Sequence, residues 1–240
     1  MPVRVSDLAN FVGTHVLPFT NPRVVCPPGR VVPQGQQNLI VATPMRSGTH
    51  ILIDLILNNV PAYRNRPLYI DLDQCAKQST LEHDILQQVT PGAGYIIKTH
   101  MPLGTPQDMP QMARISELIE TSQIVTIRRD RDDVCKSLGR WHGLDIAQAE
   151  ARYGPDYDRF WAFWSDKAQV SIDFKDLFDP QKMAGVLAAL TDAGSAAPAA
   201  RYMPPPSGKS KKQIYFNKML TRLLGHRAPR VDTTIHTLKS

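Results

Sequence analysis

Five short apolar runs are spaced along the chain, and the segments between them have the periodicity of helices. Short apolar runs between turn-forming residues predict buried strands, whereas longer periodic segments predict helices. The predicted strands are Leu39–Ala42, Leu68–Ile70, Tyr95–His100, Gln123–Arg128 and Gln169–Phe174. The predicted helices are one ending near Asn58 and Asn59, Gln74–Gln88, one containing Ser116–Ile119, one beginning at Asp132 and Asp133, one centred on Phe160–Trp164, and Met183–Leu190. This alternation predicts an α/β fold, in which a parallel sheet of about five strands carries helices on both faces.

The chain has 240 residues, enough for one sizeable core, and we expect a single domain. Prolines recur between Pro18 and Pro33, so residues 1–37 are predicted to form an irregular N-terminal arm. The α/β core is assigned to residues 38–200. Residues 201–240 form a basic C-terminal segment that completes the same domain.

The loop Thr43–Thr49 joins the first predicted strand to the first predicted helix. Such a junction presents backbone N–H groups and the positive end of a helix to one point, where a phosphate or sulfate binds well. In this loop Gly48 allows the backbone to approach an anion closely, and Ser47 and Thr49 add hydroxyl donors. Arg46 adds a guanidinium that can donate two hydrogen bonds to the anion. The Walker A pattern is not met, because Thr49 follows Gly48 where a lysine is required. A serine–threonine turn capping a core helix is the alternative.

Two more polar stretches end predicted strands, and ligands of parallel sheets bind at the carboxyl ends of strands. The third strand ends in Lys98-Thr99-His100-Met101-Pro102, where a neutral imidazole is placed to remove a proton from a hydroxyl. The alternative for His100 is a structural polar group at a strand end.

The fourth strand leads into Arg129, and Ser137 follows eight residues later on the next predicted helix. Arg129 can donate a bidentate hydrogen bond to a phosphate, and Ser137 can donate a further hydrogen bond from the helix. The alternative is a charged surface on which Arg128, Arg129 and Arg131 pair with neighbouring aspartates.

Together these stretches resemble the sulfotransferases that use 3′-phosphoadenosine 5′-phosphosulfate (PAPS), and the resemblance runs from about Asn38 to Pro180. Pro44-Met-Arg-Ser-Gly-Thr is similar to their 5′-phosphosulfate loop, and Lys98–Pro102 to the K-T-H-x-P of the soluble branch. The resemblance implies a P-loop-type sheet and PAPS as co-substrate. It implies His100 as general base, Lys98 and Arg46 on the transferred group, the N–H groups of Ser47, Gly48, Thr49 and His50 on the 5′-phosphate, and Arg129 with Ser137 on the 3′-phosphate.

The chain departs from that family at several positions. Arg46 stands where many members have lysine, and Ile51 replaces the tryptophan that stacks on adenine. Phe174 replaces a tyrosine of the late Y-E-D-L motif, and the late R-K-G-x-x-G motif is missing. Lys209 lies near the place of that motif and is a further candidate for nucleotide binding.

The implied reaction gives a sulfate ester and 3′,5′-bisphosphoadenosine. A sulfuryl group carries less negative charge than a phosphoryl group, so we expect no metal requirement. The acceptor is expected to be a small molecule, glycan or lipid with a hydroxyl group, and the sequence does not identify it. The sequence also leaves the oligomeric state of the protein open. Aromatic candidates for the acceptor pocket are Trp141, His142, Tyr153, Tyr157 and Trp161.

Composition bears on the cellular location of the protein and on its partners. There is no long uncharged apolar run, no secretory leader pattern, and only three scattered cysteines, which together predict a cytoplasmic protein. The net charge of +6 resides in the tail, because residues 207–240 hold eight lysines and arginines against Asp232 alone. No nucleic-acid partner is expected, and membrane contact through residues 209–230 is an alternative use of the tail.

Two other functions are compatible with the sequence. A P-loop nucleotide kinase or NTPase would share the fold and would need an acidic metal ligand, for which Asp71 and Asp73 are the candidates. A non-catalytic binder of anionic surfaces would use the basic tail, whose residues 211–224 have an amphipathic helical pattern.

Overall fold

The computed structural model describes residues 36–63, 69–75, 86–87, 89–102 and 112–190. The predictions for Lys209, for the basic C-terminal segment, for most of the N-terminal arm and for the middle of the Gln74–Gln88 helix lie outside the described residues.

Five parallel strands form one sheet in the order β2-β3-β1-β4-β5. They are β1 (Leu39–Ala42), β2 (Ile70–Asp71), β3 (Ile96–Thr99), β4 (Gln123–Arg128) and β5 (Val170–Asp173). The helices are α1 (Thr49–Asn59), α2 (Leu72–Cys75), α3 (Met112–Thr121), α4 (Arg131–His142), α5 (Ile146–Trp164) and α6 (Pro180–Ala189), with 3₁₀ turns at Pro61–Tyr63 and Phe174–Phe178. The predicted α/β class is confirmed. The second strand lies later than predicted, and Phe160–Trp164 is the end of a helix, not its centre.

The central strand β1 is buried on both faces. Leu39 and Val41 belong to a core cluster that includes α1 and α6, whereas Ile40 and Ala42 belong to a cluster that includes α3 and the end of α5. Alternate side chains of a strand point to opposite faces, so a fully apolar strand requires a cover on each. The predicted helices on both faces of the sheet are therefore confirmed.

The helices α4 and α5 form a tightly packed pair that holds Ser137 near the carboxyl ends of the strands. Asp130 caps α4 by accepting a hydrogen bond from the N–H of Asp133, and Asp145 forms a capping box with Gln148 at the start of α5. A Cβ on Gly139 would lie 3.0 Å from the Cβ of Ala149, which shows how closely the two helices approach. This packing fixes the orientation of α4 and hence of its buried Ser137.

Candidate active site

The strand order brings the loop Thr43–Gly48, the end of β3 and the start of α4 to one edge of the sheet. After β1 the chain runs outward to β2 and returns through β3, and only then crosses to β4 and β5 on the other side. Such a reversal of strand order opens a crevice at the carboxyl ends, where ligands of parallel α/β sheets bind.

The loop after β1 turns sharply and leaves the start of α1 without a side-chain cap. Arg46 and Gly48 both have positive φ angles, of 65° and 92°, and Gly48 is the N-cap residue. The Ser47 hydroxyl is buried and has no hydrogen-bond partner among the described residues. The Thr49 hydroxyl lies 2.5 Å from that of Thr43, which ties the two ends of the loop together. A helix start with an unused hydroxyl favours a bound anion over the capping-turn alternative.

Phe174 forms the floor of this loop. A Cβ on Gly48 would lie 2.8 Å from Leu177 Cδ1 and 3.0 Å from Phe174 Cε2, so a larger residue would have to displace these side chains as well as adopt a positive φ. The Arg129 guanidinium lies over the Phe174 ring, 4.1 Å from its centroid. Phe174 thus contacts both the loop and Arg129.

Arg46, Arg129 and Ser137 meet beside the loop. Arg46 Nε donates to Ser137 Oγ at 3.2 Å, and an Arg129 amino group donates to the Arg46 carbonyl at 2.7 Å. Arg129 Nε is buried and has no hydrogen-bond partner among the described residues. Burial lowers the pKa of both guanidinium groups, the charges of Arg129 and Arg140 lower that of Arg46 further, and at Arg129 the charge of Asp133 opposes the effect of Arg140. Cations held together against their own repulsion favour a polyanionic ligand.

Among the three arginines, ion pairing on the surface within the described residues holds for Arg131 and not for Arg128 or Arg129. Arg131 pairs with Glu150 and Asp158 on α5. Arg128 lies over the Trp161 ring, 5.3 Å from its centroid. Within the described part of the chain, Arg129 makes no ion pair.

His100 is held in one tautomer by the neighbouring strand. Its Nδ1 lies 2.7 Å from the Thr43 carbonyl oxygen, so Nδ1 carries the hydrogen and Nε2 keeps the lone pair. Burial and the charge of Lys98 lower the pKa of His100 to about 3. The ring is therefore neutral at physiological pH, the form that a proton acceptor requires.

Lys98 lies at the same strand end but is bound to a carboxylate. Its ammonium lies 2.9 Å from Asp71 Oδ2, and both side chains are buried. From the sequence, Asp71 was a candidate metal ligand only. The two residues are register partners on β2 and β3, which is the signal that links them.

Asp73 is a second carboxylate that sequence analysis did not connect to His100. Its Oδ2 accepts the backbone N–H of His100 at 2.8 Å, and its Oδ1 accepts the Thr99 hydroxyl at 2.7 Å. Burial and the charge of Asp71 raise the pKa of Asp73 to about 6, with Lys98 acting in the opposite direction.

The aromatic candidates for an acceptor pocket divide into two groups. Trp141 is 42% exposed and lies 5.0 Å from the Arg46 guanidinium, at the edge of the crevice. Tyr157 donates to the Arg129 carbonyl, and Tyr153 is buried between α4 and α5. His142 stacks on Tyr153, and Trp161 packs beside Phe160. Of these five, only Trp141 is both exposed and in contact with a candidate site residue.

His50 follows Thr49 in the first turn of α1 and makes an edge contact with Tyr69, 5.9 Å between ring centroids. Only its backbone N–H is relevant to the predicted phosphate site. No group of three or more histidines, cysteines or acidic residues suited to a metal ion occurs among the described residues. In the same part of the chain, no helix combines the length and apolar character needed to span a membrane.

Comparison with models of known protein families finds no match, and comparison with curated proteins finds none. Solved structures do match. Retinol dehydratase in complex with androsterone and the inactive cofactor PAP is 19% identical, with 64% of this chain and 58% of that chain covered and a TM-score of 0.42. Retinol dehydratase in complex with retinol and PAP is 17% identical, with 87% and 74% covered and a TM-score of 0.43. At these TM-scores the likeness is partial, and the function is inferred from the site.

Proposed function

We propose that this protein is a sulfotransferase that moves a sulfuryl group from PAPS to a hydroxyl of an acceptor. One observation carries the proposal. At the carboxyl ends of the strands, two guanidinium groups that form no ion pair within the described residues lie together at the loop Thr43–Gly48, and a neutral imidazole is bound to the Thr43 carbonyl of the same loop. Arg46 and Arg129 suit a donor that carries several phosphate charges, and His100 suits removal of a hydroxyl proton. The resemblance of the motifs supplies the identity of the donor.

The donor is proposed to lie along the loop and the start of α4. The N–H groups of Ser47–His50 bind the 5′-phosphate, and the buried Ser47 hydroxyl gains a partner there. Arg129 and Ser137 bind the 3′-phosphate, for which Arg129 Nε is available. Lys209, outside the described residues, is proposed to add a charge to this site.

The proposed chemistry is an in-line displacement at sulfur. The acceptor oxygen forms a bond to sulfur while the bond from sulfur to the 5′-phosphate oxygen breaks. The hydroxyl proton passes to Nε2 of His100, and the sulfate ester and 3′,5′-bisphosphoadenosine are released. The imidazolium is stabilised by its Nδ1–H bond to the Thr43 carbonyl and by the charge of Asp71.

A pKa of about 3 makes His100 a weak base in the free protein. Bound PAPS makes His100 a stronger base, because its negative charges favour the imidazolium and raise the pKa of His100. Lys98, which is paired with Asp71, contributes its positive charge to this side of the site. Together with Arg46 it balances the charge that develops on the leaving oxygen.

Titration calorimetry and mass spectrometry test the proposal. We expect 3′,5′-bisphosphoadenosine to bind without magnesium, and AMP and ATP to bind more weakly. Acceptor screening with PAPS should then give a product heavier by about 80 Da, roughly the mass of SO₃. Magnesium-dependent ATP binding that exceeds binding of the bisphosphate would contradict the proposal.

The kinase alternative is disfavoured by what its two acidic candidates contact. Asp71 is paired with Lys98, and Asp73 accepts from Thr99 and from the backbone of His100. Carboxylates engaged by protein donors are poorly placed to ligate magnesium. The cytoplasmic location and the use of the basic tail stay predictions.

A further inference from the structure

The turn that carries His100 is held from two neighbouring strands. The Thr43 carbonyl at the end of β1 accepts from the ring, and the Asp73 carboxylate after β2 accepts from the backbone N–H. Thr99 strengthens this arrangement, since its hydroxyl donates to Asp73 and accepts from the N–H of Met101. The carboxylate thus binds the residues on both sides of the peptide bond between Thr99 and His100.

We infer that Asp73 is a positioning residue, whose ionised carboxylate fixes the turn and thereby aims His100 at the acceptor hydroxyl. A carboxylate binds N–H and O–H donors about twice as strongly as a neutral group, so protonation of Asp73 weakens its bonds to Thr99 and to the His100 N–H. Displacement of a catalytic group by about 1 Å can cost a hundredfold in rate. The inference rests on the proposed function for its catalytic consequence, but the contact itself does not.

The charged and titratable groups around Asp73 determine the pH at which this happens. Asp71 on β2 faces it and disfavours its ionisation, and Lys98 on β3 favours it. His100 on the same side of the sheet is neutral, and His50 on α1 acts on His100. Burial is the largest influence, and the pKa of Asp73 lies at about 6. The Asp73 carboxylate is therefore ionised at neutral pH and is protonated in mildly acidic solution.

The His100 amide signal reports this contact without any ligand. The sequence has seven histidines, so selective ¹⁵N-histidine labelling gives a short set of amide signals, and the His100 signal is the one missing in His100→Asn. We expect the amide proton of the wild-type protein to be shifted downfield by the carboxylate and to move upfield with a midpoint near pH 6. In Asp73→Asn this titration should vanish.

Two further variants complete the test. Asp179→Asn is the matched control, because Asp179 also accepts backbone N–H groups, at the start of α6, and the His100 titration should be unchanged there. Thr99→Val removes one donor to Asp73 and should move the midpoint upward. A wild-type midpoint near the ordinary value of 3.8, or an unaltered titration in Asp73→Asn, would overturn the inference.

The catalytic consequence is tested by the rate of sulfuryl transfer from PAPS to 2-naphthol, which serves as the probe acceptor. The wild-type kcat/KM for PAPS should be about tenfold lower at pH 5 than at its plateau, as expected for one ionisation near pH 6. Asp73→Asn should be about ten- to a hundredfold below that plateau and flat between pH 5 and 7. A pH limb that persists in Asp73→Asn would refute the catalytic role. Failure of PAPS transfer with an intact amide titration would count against the proposed function alone.

Discussion

His100 and Asp73 are in contact, and their pKa values are displaced in opposite directions. Burial is the main cause of both shifts, because it disfavours the imidazolium in one case and the carboxylate in the other. The pair is thus most favourable with His100 neutral, and the charge of Lys98 and the hydrogen bonds from Thr99 and His100 offset part of the cost of ionising Asp73.

The opposite shifts predict compensating effects of pH on stability. His100 has a folded pKa of about 3 against 6.5, so its contribution is present above pH 6.5 and is lost as pH falls toward 3. Asp73 has a folded pKa of about 6 against 3.8, so its contribution is present below pH 3.8 and is lost as pH rises through 6. Between pH 4 and 6 the two oppose each other.

We therefore expect the two single variants to diverge on acidification from pH 6 to 4. Relative to wild type, His100→Asn should gain free energy of unfolding because only the Asp73 contribution remains, and Asp73→Asn should lose it. Urea unfolding at a series of pH values measures both changes. Parallel curves for the two variants would show that these groups do not control the pH dependence.

His100→Asn also tests catalysis. Asparagine keeps a polar side chain but has no titrating nitrogen, so turnover should fall roughly 10²–10⁴-fold, the usual contribution of a positioned base. His100→Ala should lose a similar factor. Affinity for 3′,5′-bisphosphoadenosine should barely change in either variant, as measured by calorimetry. An asparagine variant with wild-type turnover would place the base elsewhere.

Arg129→Ala should weaken binding of 3′,5′-bisphosphoadenosine by about 2–4 kcal/mol, the range for losing a buried charged partner. AMP lacks the 3′-phosphate and should be affected much less. Arg128→Ala is the matched control, because its guanidinium lies on Trp161 and not beside the loop. Calorimetry measures all these affinities. Equal losses for the two ligands would remove Arg129 from the 3′-phosphate site.

At the scale of elements, the junction from β1 to α1 depends on the contact between its glycine and the 3₁₀ turn Phe174–Phe178. The turn supplies Phe174 and Leu177, which occupy the space that a side chain on Gly48 would need. The junction is thus completed by an element that lies more than a hundred residues away in the sequence.

Gly48→Ala should be destabilised by about 2–5 kcal/mol, because a positive φ and an overpacked contact both act against it. Gly92→Ala is the control. Its φ of 77° is also positive, but a Cβ there meets nothing within 4 Å, so only the backbone cost of about 1–2 kcal/mol applies. Urea unfolding compares the two, and calorimetry should show weaker bisphosphate binding in Gly48→Ala alone. Equal destabilisation would mean that the floor can move.

At the scale of the whole molecule, the strand order places the two arginines of the site on one side of the loop after β1, and His100 with the two aspartates on the other. Arg46, Arg129 and Ser137 lie on the β4 side of the loop, whereas Lys98, His100 and the two aspartates lie on the β3 side. A donor laid along the loop would present its phosphates to the first group and its sulfuryl end to the second.

With its charge balanced by side chains, the reaction should not need a metal ion. Turnover of PAPS with an acceptor should be the same in EDTA as in magnesium, as measured by the rate of product formation. A strict requirement for magnesium would favour the nucleotide kinase.

The sequence by itself determined the architecture of the described core. Apolar runs such as Leu39–Ala42 can be buried only in a sheet covered on both faces, and local periodicity is enough to predict this. The resemblance to the sulfotransferase motifs paired Arg129 with Ser137. Both contact Arg46, and their role at a 3′-phosphate stays a prediction.

The tertiary structure alone decided the partners of Lys98 and His100. Asp71 ends β2 and Asp73 lies in the first turn of α2, each 27 positions before its partner in the sequence, and no local pattern records which carboxylate meets which donor. The pKa values likewise depend on burial and on charges from β1, β2 and α1, which only packing brings together. Local periodicity fixes elements through short-range geometry, whereas the protonation state of a site depends on the sum of long-range contacts.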